Sequence, residues 1–476
     1  MAKNVVLICL DDATELDGRI LNSPLYPAIA QHIGSGIRFA NAFATSSLCS
    51  PSRASIFKGQ YPHNHGVRTN LDAAALDESD TLASRLRPTH RTIHVGKYMN
   101  GYGEASPSYV PYGYDDWHGL ERATYSVYDY RINHNGLVTQ YGHTLAEYQT
   151  AVLGDIAALS VMAGLGKGKP LFVQVCPMAP HIEDSTIAPT LLDGFQEGED
   201  PWRWFARPDI RDKTGAKAAI WSYIANPTLL PNYVQLGPSF NEADVSDKPL
   251  FMRNELMDAA DRAWADYQYR TRLLCLLPVN DIVGKIAAAL PPAELANTIW
   301  ILTSDNGFML GEHRKAQKLA AYEPSIRVPL YLAGAGVPHV EQGIALLQDL
   351  YPTLLELAGV AANPAIDGRS LVPLLTPGAT WPRRRFLLEH TQEGDGSAPD
   401  LPTFAGLRTG PGDTYPQRAY VEYVTGDREL YELATDQGEL TSVHADPLRA
   451  AEIADHHAKL EALKASSGAG CQVAEN

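Results

Sequence analysis

The first apolar run of the sequence is Val5-Val6-Leu7-Ile8-Cys9-Leu10, and Asp11-Asp12 follow it directly. A short, continuous run of this kind is typical of a β-strand that is buried on both faces of a sheet. A second run, at residues 298–303, leads in the same way to Asp305-Asn306. Ligand sites in open α/β sheets form at the carboxyl ends of strands, so these two polar pairs are candidate site residues.

Other segments of strand and helix character alternate along the chain. Strands are predicted at residues 92–95, 171–176 and 329–333, and helices at 144–159, 255–272 and 282–290. This alternation predicts an α/β fold in which helices cover both faces of a sheet. Pro278 interrupts the last helical region and is expected to kink or split the helix there.

A joint rich in turn-forming residues at 376–382 predicts two domains. Residues 1–378 form the larger predicted domain. Residues 379–465 form a small α+β domain, with strands at 385–389 and 419–423 and a helix at 447–463. The small and polar residues 466–476 predict a flexible tail. Residues 193–247 are rich in proline and aromatic side chains, and they are predicted to be an insertion that covers a pocket.

The charge and cysteine content exclude several classes of protein. The chain has 476 residues and a formal charge of −16, which argues against a general nucleic-acid-binding protein with a basic face. Its five scattered cysteines argue against a disulfide framework or a zinc motif. The first apolar run is too short for a membrane span and lacks a signal-peptide cleavage site, and no other run is long enough. We therefore expect a cytoplasmic protein without a membrane partner, although a secreted protein trimmed of its signal peptide would look the same.

The two polar pairs supply a set of oxygen ligands at two predicted strand ends. Ca²⁺ and Mg²⁺ prefer such hard ligands, whereas zinc and copper favour nitrogen and sulfur. The same residue types also form turns after strands, so the pairs alone leave a structural interpretation open. The candidate ligands are Asp11, Asp12, Asp305 and Asn306.

A second candidate site residue is Cys49, which opens the segment Cys49-Ser50-Pro51-Ser52-Arg53. A cysteine near an arginine and a bound cation would have a lowered pKa and react as a thiolate. A lone cysteine is more often a buried structural residue. Composition does not decide between these two interpretations.

Many further motifs occur in a fixed order along the chain. They are Asp11-Asp12, Cys49-x-Pro51-x-Arg53, Gly96-Lys97-Tyr98, Ala179-Pro180-His181, residues 303–307, Gly311-Glu312-His313, Lys318 and residues 322–329, 367–371 and 429–433. In this order they resemble the type I sulfatases, in which the cysteine of the Cys-x-Pro-x-Arg element is oxidised to formylglycine. The resemblance spans nearly the whole chain.

The resemblance implies an alkaline-phosphatase-like sandwich with a large mixed, mostly parallel sheet and a smaller C-terminal domain with an antiparallel sheet. It implies hydrolysis of a sulfate monoester to an alcohol and inorganic sulfate, and transient contact with a formylglycine-generating enzyme. The implied metal is Ca²⁺, or less readily Mg²⁺, held by Asp11, Asp12, Asp305, Asn306 and the modified Cys49. The implied catalytic residues are Cys49, Arg53, Lys97, His181 and Lys318, with His181 on the side of the leaving alcohol.

Two segments, residues 96–103 and 240–249, resemble one branch of the family, the N-acetylglucosamine-6-sulfatases and their bacterial relatives. Many other sulfatases have a histidine where this chain has Met99, so the part that this histidine takes in handling the formylglycine hydroxyl is left unassigned. The expected substrate is a small sulfated amino sugar, aryl sulfate or alkyl sulfate. Within the predicted insertion, four aromatic side chains offer flat surfaces for a substrate ring or anchors for the loop: Trp202, Trp204, Trp221 and Tyr223.

Two other functions stay open. Formylglycine hydrolases of the same superfamily also cleave phosphonate monoesters and phosphodiesters. A chain whose Cys49 stays a thiol would instead be a metal-binding module without catalysis. The remaining notable residues are interpreted as structural supports (His63, His65, Glu312 and His313) or as core (Cys9, Cys176 and Cys275).

Overall fold

Strand β1 (Asn4–Leu10) is buried along its whole length, as its apolar run predicts. The computed structural model describes residues 3–22, 25–123, 126–142, 144–181, 237–394 and 401–476. Most of the predicted insertion, residues 193–236 with Trp202, Trp204, Trp221 and Tyr223, lies outside the described residues. Its predicted role as a pocket cover therefore stays a prediction.

β1 is one of the central strands of a large sheet, whose order is β10-β2-β9-β8-β1-β7-β3-β4-β5-β6. The central strands β8, β1, β7, β3 and β4 are parallel to one another, and antiparallel pairings occur toward both ends of the sheet. The other strands are β2 (Ile37–Phe43), β3 (Arg91–Gly96), β4 (Asp116–Leu120), β5 (Arg131–His134), β6 (Leu137–Gln140), β7 (Leu171–Cys176), β8 (Thr298–Ser304), β9 (Leu330–Ala333) and β10 (Val340–Leu346). The predicted mixed, mostly parallel sheet is thus confirmed, and β1, β3, β7, β8 and β9 coincide with predicted strands.

Helices pack on both faces of this sheet. They are α1 (Glu15–Leu21), α2 (Pro27–Ile29), α3 (Cys49–Lys58), α4 (Pro62–His65), α5 (Leu82–Leu86), α6 (Gln149–Gly164), α7 (Ala259–Ala289), α8 (Pro292–Ala296), α9 (Glu323–Ile326) and α10 (Leu350–Leu357). Side chains of a strand point alternately to the two faces. In β1, Val6, Ile8 and Leu10 therefore join the core with α6 and α7, while Val5, Leu7 and Cys9 join the core with α3, α5 and α10.

The C-terminal region forms the predicted small α+β unit. Its antiparallel sheet has the order β11-β12-β13-β14. The elements are β11 (Arg385–His390), β12 (Phe404–Thr409), β13 (Arg418–Tyr423), β14 (Arg428–Glu432), α11 (Ala450–Lys464) and α12 (Ala469–Ala474). Leu460 and Leu463 of α11 pack with Phe386, Leu388 and Leu407 of the sheet in one buried cluster.

Pro278 was expected to kink or split the helical region, and the structure contradicts the split. Helix α7 is continuous from Ala259 to Ala289 with Pro278 inside it. A proline inside a helix costs about 3 kcal/mol. The flanking side chains Leu277, Val279 and Ile282 are buried against the sheet, and burial of each contributes about 1.5–3 kcal/mol. The free energy gained by burying these side chains therefore outweighs the cost of a proline inside the helix.

The structure also corrects the prediction of a flexible tail at residues 466–476. Helix α12 lies there, and the side chains of Cys471 and Glu475 are fully buried. The Glu475 carboxylate pairs with Arg369 and Arg383, each at 2.9 Å. These partners are distant in sequence, so the composition of the segment gave no sign of them.

None of the helices within the described residues is long and apolar enough to span a bilayer.

Candidate active site

The two polar pairs meet at one edge of the large sheet. Leu10 of β1 lies opposite Ser304 of β8 in parallel register, so the residues that follow each strand emerge side by side. Asp12 N donates to Asp305 Oδ1 at 3.1 Å, and Asn306 Nδ2 donates to Asp12 Oδ1 at 2.6 Å. All of these side chains are fully buried. The predicted cluster of oxygen ligands therefore forms in the fold.

Cys49 is the first residue of α3, and its side chain is fully buried at the same edge. Its Sγ lies 2.8 Å from Lys318 Nζ and 3.8 Å from Asp11 Oδ1. The residue before the helix, Leu48, gives no side-chain cap. The amino end of α3 therefore presents the positive end of the helix dipole to residue 49, which favours negative charge there.

Arg53 lies one turn after Cys49 on α3, so both side chains share one face of the helix. Its Nε donates to Asp305 Oδ2 at 2.8 Å, and its Nη1 donates to the carbonyl of Lys97 at 3.1 Å. The side chain is fully buried. Arg53 thus fixes the position of the cysteine helix relative to β8 and to the loop after β3.

Three more polar side chains surround the carboxylates. Lys97 Nζ lies 2.6 Å from Asp11 Oδ2, and Lys318 Nζ lies 2.6 Å from Asp12 Oδ1. His181 Nε2 is 3.3 Å from the other oxygen of Asp12. The structure therefore brings together every site residue predicted from the sequence.

The electrostatics of the cluster keep Asp11 and Asp12 charged. Burial raises the pKa of Asp11, but Lys97, His181 and Arg53 outweigh it and lower that pKa to about 2. Burial also raises the pKa of Asp12, but Lys318 and His181 together outweigh it and lower that pKa. Burial raises the pKa of the Cys49 thiol to about 11, against the effect of Lys318. At neutral pH an unmodified Cys49 is therefore a protonated thiol, which is a weak nucleophile.

The donor set fits a hard divalent cation. Ligand atoms of Asp11, Asp12 and Cys49 lie within 4.8 Å of one another. The carbonyl oxygen Oδ1 of Asn306 is buried without a hydrogen-bond donor among the described residues, which leaves an oxygen for a metal ion. Without the ion, three carboxylates face three cations (Arg53, Lys97 and Lys318). A bound Ca²⁺ would make the site net positive, as an anionic ester requires.

Comparison with known proteins agrees with this geometry. Residues 3–360 match the family described as Sulfatase. The chain belongs to the sulfatase family. Residues 311–466 also match the family described as N-sulphoglucosamine sulphohydrolase, C-terminal. The predicted family membership is therefore confirmed.

Individual relatives agree with the family match. The chain is 30% identical to the N-acetylglucosamine-6-sulfatase of Homo sapiens, over 87% of this chain and 71% of that relative. It is 29% identical to an arylsulfatase of Volvox carteri, over 98% of this chain and 75% of that relative.

Two solved structures share the fold of this sulfatase. A protein in complex with its substrate D-glucosamine-2-N,6-O-disulfate has a TM-score of 0.71, 21% identity and 97% coverage of both chains. A phosphonate monoester hydrolase from Silicibacter pomeroyi has a TM-score of 0.63 and 21% identity, covering 96% of this chain and 94% of its own. At these identities the likeness establishes the fold alone.

The residues interpreted as structural supports bind partners away from the cluster. His63 Nδ1 lies 2.8 Å from Glu389, and His65 Nε2 lies 3.1 Å from the Ser55 hydroxyl. His313 Nδ1 lies 2.7 Å from Glu242. Met99, which stands where many sulfatases have histidine, is buried in an apolar cluster.

Arg272 is a site residue that the sequence did not indicate. It lies on α7 and is 1% exposed. Its Nη2 donates to the carbonyl of Asp12 at 2.5 Å and to Asp17 Oδ2 at 2.6 Å, while Nη1 donates to the carbonyl of Pro180 at 3.4 Å. It therefore connects the segment of the candidate ligand Asp12 with the segment that carries His181. In the sequence, Arg272 is one more arginine of an amphipathic helix.

The backbone of Asp12 makes this contact important. Asp12 has φ of 64°, a left-handed conformation that costs about 1–3 kcal/mol in a residue other than glycine. The hydrogen bonds from Asp12 N to Asp305 and from Arg272 to the Asp12 carbonyl hold the residue there from both sides.

We expect Arg272→Met to lower both the affinity for Ca²⁺ and kcat by about 10–100-fold, the usual effect of losing a group that orients a metal ligand. Because Arg272 also neutralises Asp17, the double variant Asp17→Asn/Arg272→Met serves as the control for an unpaired buried charge. Calorimetric titration with Ca²⁺ and a thermal melt measure the two effects. Unchanged Ca²⁺ affinity in both variants, with only a lower melting temperature, would show that Arg272 supports the fold alone.

Proposed function

We propose that this sulfatase hydrolyses a sulfate monoester with the hydrate of a formylglycine at position 49 as its nucleophile. The observation that carries the proposal is the position of Cys49. It stands at the amino end of α3, 2.8 Å from Lys318 Nζ and beside Asp11 and Asp12. The Cys-x-Pro-x-Arg element and the family membership support conversion of this cysteine.

The metal in this proposal is Ca²⁺, bound by Asp11, Asp12, Asp305, Asn306 and residue 49. When bound, it withdraws charge from an oxygen of the ester and acidifies the nucleophile. Lys97 and Lys318 hold the sulfate oxygens, because their ammonium groups already lie at the carboxylates that flank residue 49. Arg53 holds the helix that carries residue 49 against Asp305 through its hydrogen bond to the Asp305 carboxylate.

Residue 49 completes the reaction in two steps. One geminal hydroxyl loses its proton and its oxygen attacks sulfur; the bond from sulfur to the ester oxygen breaks, and the alcohol leaves with a proton. The second hydroxyl then loses its proton, the bond from carbon to the sulfate oxygen breaks, and sulfate departs from the restored aldehyde, which water hydrates again. We assign His181 to the leaving alcohol, because its Nε2 faces the cluster 3.3 Å from Asp12, where an imidazole can exchange a proton with the oxygen of the alcohol.

The substrate class we propose is a sulfated amino sugar. Relatives named N-acetylglucosamine-6-sulfatase match most of the chain, including one from Bacteroides thetaiotaomicron. The structurally similar protein with a glucosamine disulfate as its substrate supports the same class. Cleavage of phosphonate monoesters is the second candidate, favoured by the fold shared with the Silicibacter pomeroyi enzyme.

One experiment tests these points together. Protein produced with a formylglycine-generating enzyme is digested, and the peptide that contains residue 49 is weighed by mass spectrometry. The same preparation is assayed with N-acetylglucosamine-6-sulfate, an aryl sulfate and a phosphonate monoester. We expect an aldehyde or its hydrate at position 49 and the highest kcat/KM for the sulfated sugar. Full activity from a pure thiol form would contradict the nucleophile, and a higher kcat/KM for the phosphonate would favour the second candidate.

A further inference from the structure

A cavity of about 710 Å³ opens between the segment at residues 73–79 and the segment at residues 98–112. Much of its wall is formed by large apolar and aromatic side chains: Leu76, Tyr98, Met99, Tyr102, Tyr109 and Tyr112. Ligand cavities in proteins usually have volumes of about 300–1,000 Å³, so this one has room for a sugar or an aromatic ring.

Hydrogen bonds link the segments of both walls to Ser50, the residue that follows Cys49. Ser50 N donates to Asn70 Oδ1 at 3.0 Å, and Asn70 begins the short helix that leads into the first wall. Asn100 N donates to the Ser50 hydroxyl at 3.0 Å, and Asn100 directly follows Met99, which lines the second wall. The second wall also begins one residue after Lys97. Hydrogen bonds through Ser50 therefore connect both segments to the helix that carries Cys49.

The aromatic rings of the cavity are held in place. Glu78 accepts hydrogen bonds from the Tyr98 hydroxyl at 3.1 Å and from Tyr112 N at 2.9 Å. It also accepts one from the Tyr109 hydroxyl. Tyr109 and Tyr112 are nevertheless about half exposed at the mouth. Arg87 lies over one face of the Tyr112 ring, 5.9 Å from its centroid. Fixed and partly exposed rings favour stacking with a flat apolar ring, because little side-chain entropy is lost on binding.

The charge of the cavity selects against an anion. The charged side chains among its lining residues are Asp77 and Glu78, and within the described chain no lysine or arginine lines it. In the proposed function the sulfate of the substrate lies at Lys97 and Lys318, and neither of these residues lines the cavity. A second sulfate or a carboxylate would be repelled here, whereas a neutral ring would not.

We propose that this cavity binds a neutral ring carried by the leaving alcohol, either the next sugar of a glycoside or an aromatic group. The proposal rests on the proposed function, since it assigns the far end of the same ester. It makes Tyr109 and Tyr112 residues that determine specificity.

The test compares the methyl and phenyl β-glycosides of N-acetylglucosamine-6-sulfate. We expect kcat/KM to be about tenfold or more higher for the phenyl glycoside, as an added apolar group in a fitted cavity usually gives. In Tyr109→Ala/Tyr112→Ala the ratio of the two kcat/KM values should fall to near one. Leu448→Ala removes another exposed apolar side chain far along the sequence, and it should keep the ratio of the unaltered protein.

Two disaccharides distinguish the kinds of ring. A neutral sugar linked to the sulfated residue should also raise kcat/KM if the cavity accepts sugars, and a uronic acid in its place should give no gain. Binding of both glycosides to Cys49→Ala protein, measured by calorimetry, tests the cavity without turnover. Equal Kd values for the phenyl and methyl glycosides would overturn the proposal. Tighter binding of the phenyl glycoside without turnover by the modified protein would instead contradict the proposed function.

Discussion

Cys49→Ala is expected to lower kcat for sulfate esters by at least about 10⁴-fold. Enzymes lose activity on this scale when their nucleophile is removed. The side chain is fully buried among Asp11, Lys318 and the amino end of α3. Within the part of the chain that the structure describes, no neighbouring group can take its place, because the nearby side chains are cations, proposed metal ligands or a histidine. Initial rates with a fluorogenic sulfate ester measure the loss.

The matched control is Cys275→Ala, which removes another buried thiol, on α7. We expect this variant to keep most of its activity. We also expect Cys49→Ala protein to bind Ca²⁺ and to melt near the temperature of the unaltered protein, since alanine fits the start of a helix. Substantial sulfatase activity in Cys49→Ala protein would refute residue 49 as the nucleophile.

Asp305→Ala is expected to remove Ca²⁺ binding and activity together, with a loss of more than about 100-fold in metal affinity, beyond the effect of residues that only orient ligands. Asp305 also pairs with Arg53 at 2.8 Å, and both side chains are fully buried. Breaking a buried pair costs about 3–5 kcal/mol. The melting temperature should therefore fall as well. Calorimetry with Ca²⁺ and a thermal melt follow the two effects separately.

Asp305→Asn distinguishes the effect on metal binding from the effect on stability, because asparagine keeps the shape and a hydrogen-bond acceptor but removes the charge. We expect it to lose metal affinity with a smaller fall in melting temperature. The control carboxylate is Asp155, which pairs with Lys285 at the surface; Asp155→Ala should change neither property much. Elemental analysis that found zinc held by histidines would contradict the choice of a hard cation.

The central strands could be predicted because both of their faces are buried. β1 and β8 are continuous apolar or β-branched runs, and that pattern is distinctive in a single sequence. Outer strands escaped prediction because one face meets solvent or a neighbouring domain. β2 carries Arg38 and Asn41, and β10 begins with exposed Val340 followed by Glu341. Their pattern does not differ from that of a loop.

The site residues that lie in short sequence motifs could be predicted from the sequence. Asp11, Cys49 and Lys318 each lie in such a motif. Arg272 does not, since its role follows from the packing of α7 on the segment after β1. Glu475 was missed for the same reason, because its partners Arg369 and Arg383 are close only in the folded chain. Sequence patterns therefore predict the residues of a local motif well, but they do not predict ion pairs between residues that are distant in the sequence.

The complete burial of α3 has a consequence for how the active protein is made. All ten residues from Cys49 to Lys58 are buried, so an enzyme that oxidises Cys49 has no access to that segment after the chain has folded. In our proposal the oxidation therefore precedes folding and competes with it in time. Chains that fold first stay in the thiol form. A preparation is then a mixture of two populations with the same fold, and slower synthesis or a larger supply of the modifying enzyme shifts it toward the active one.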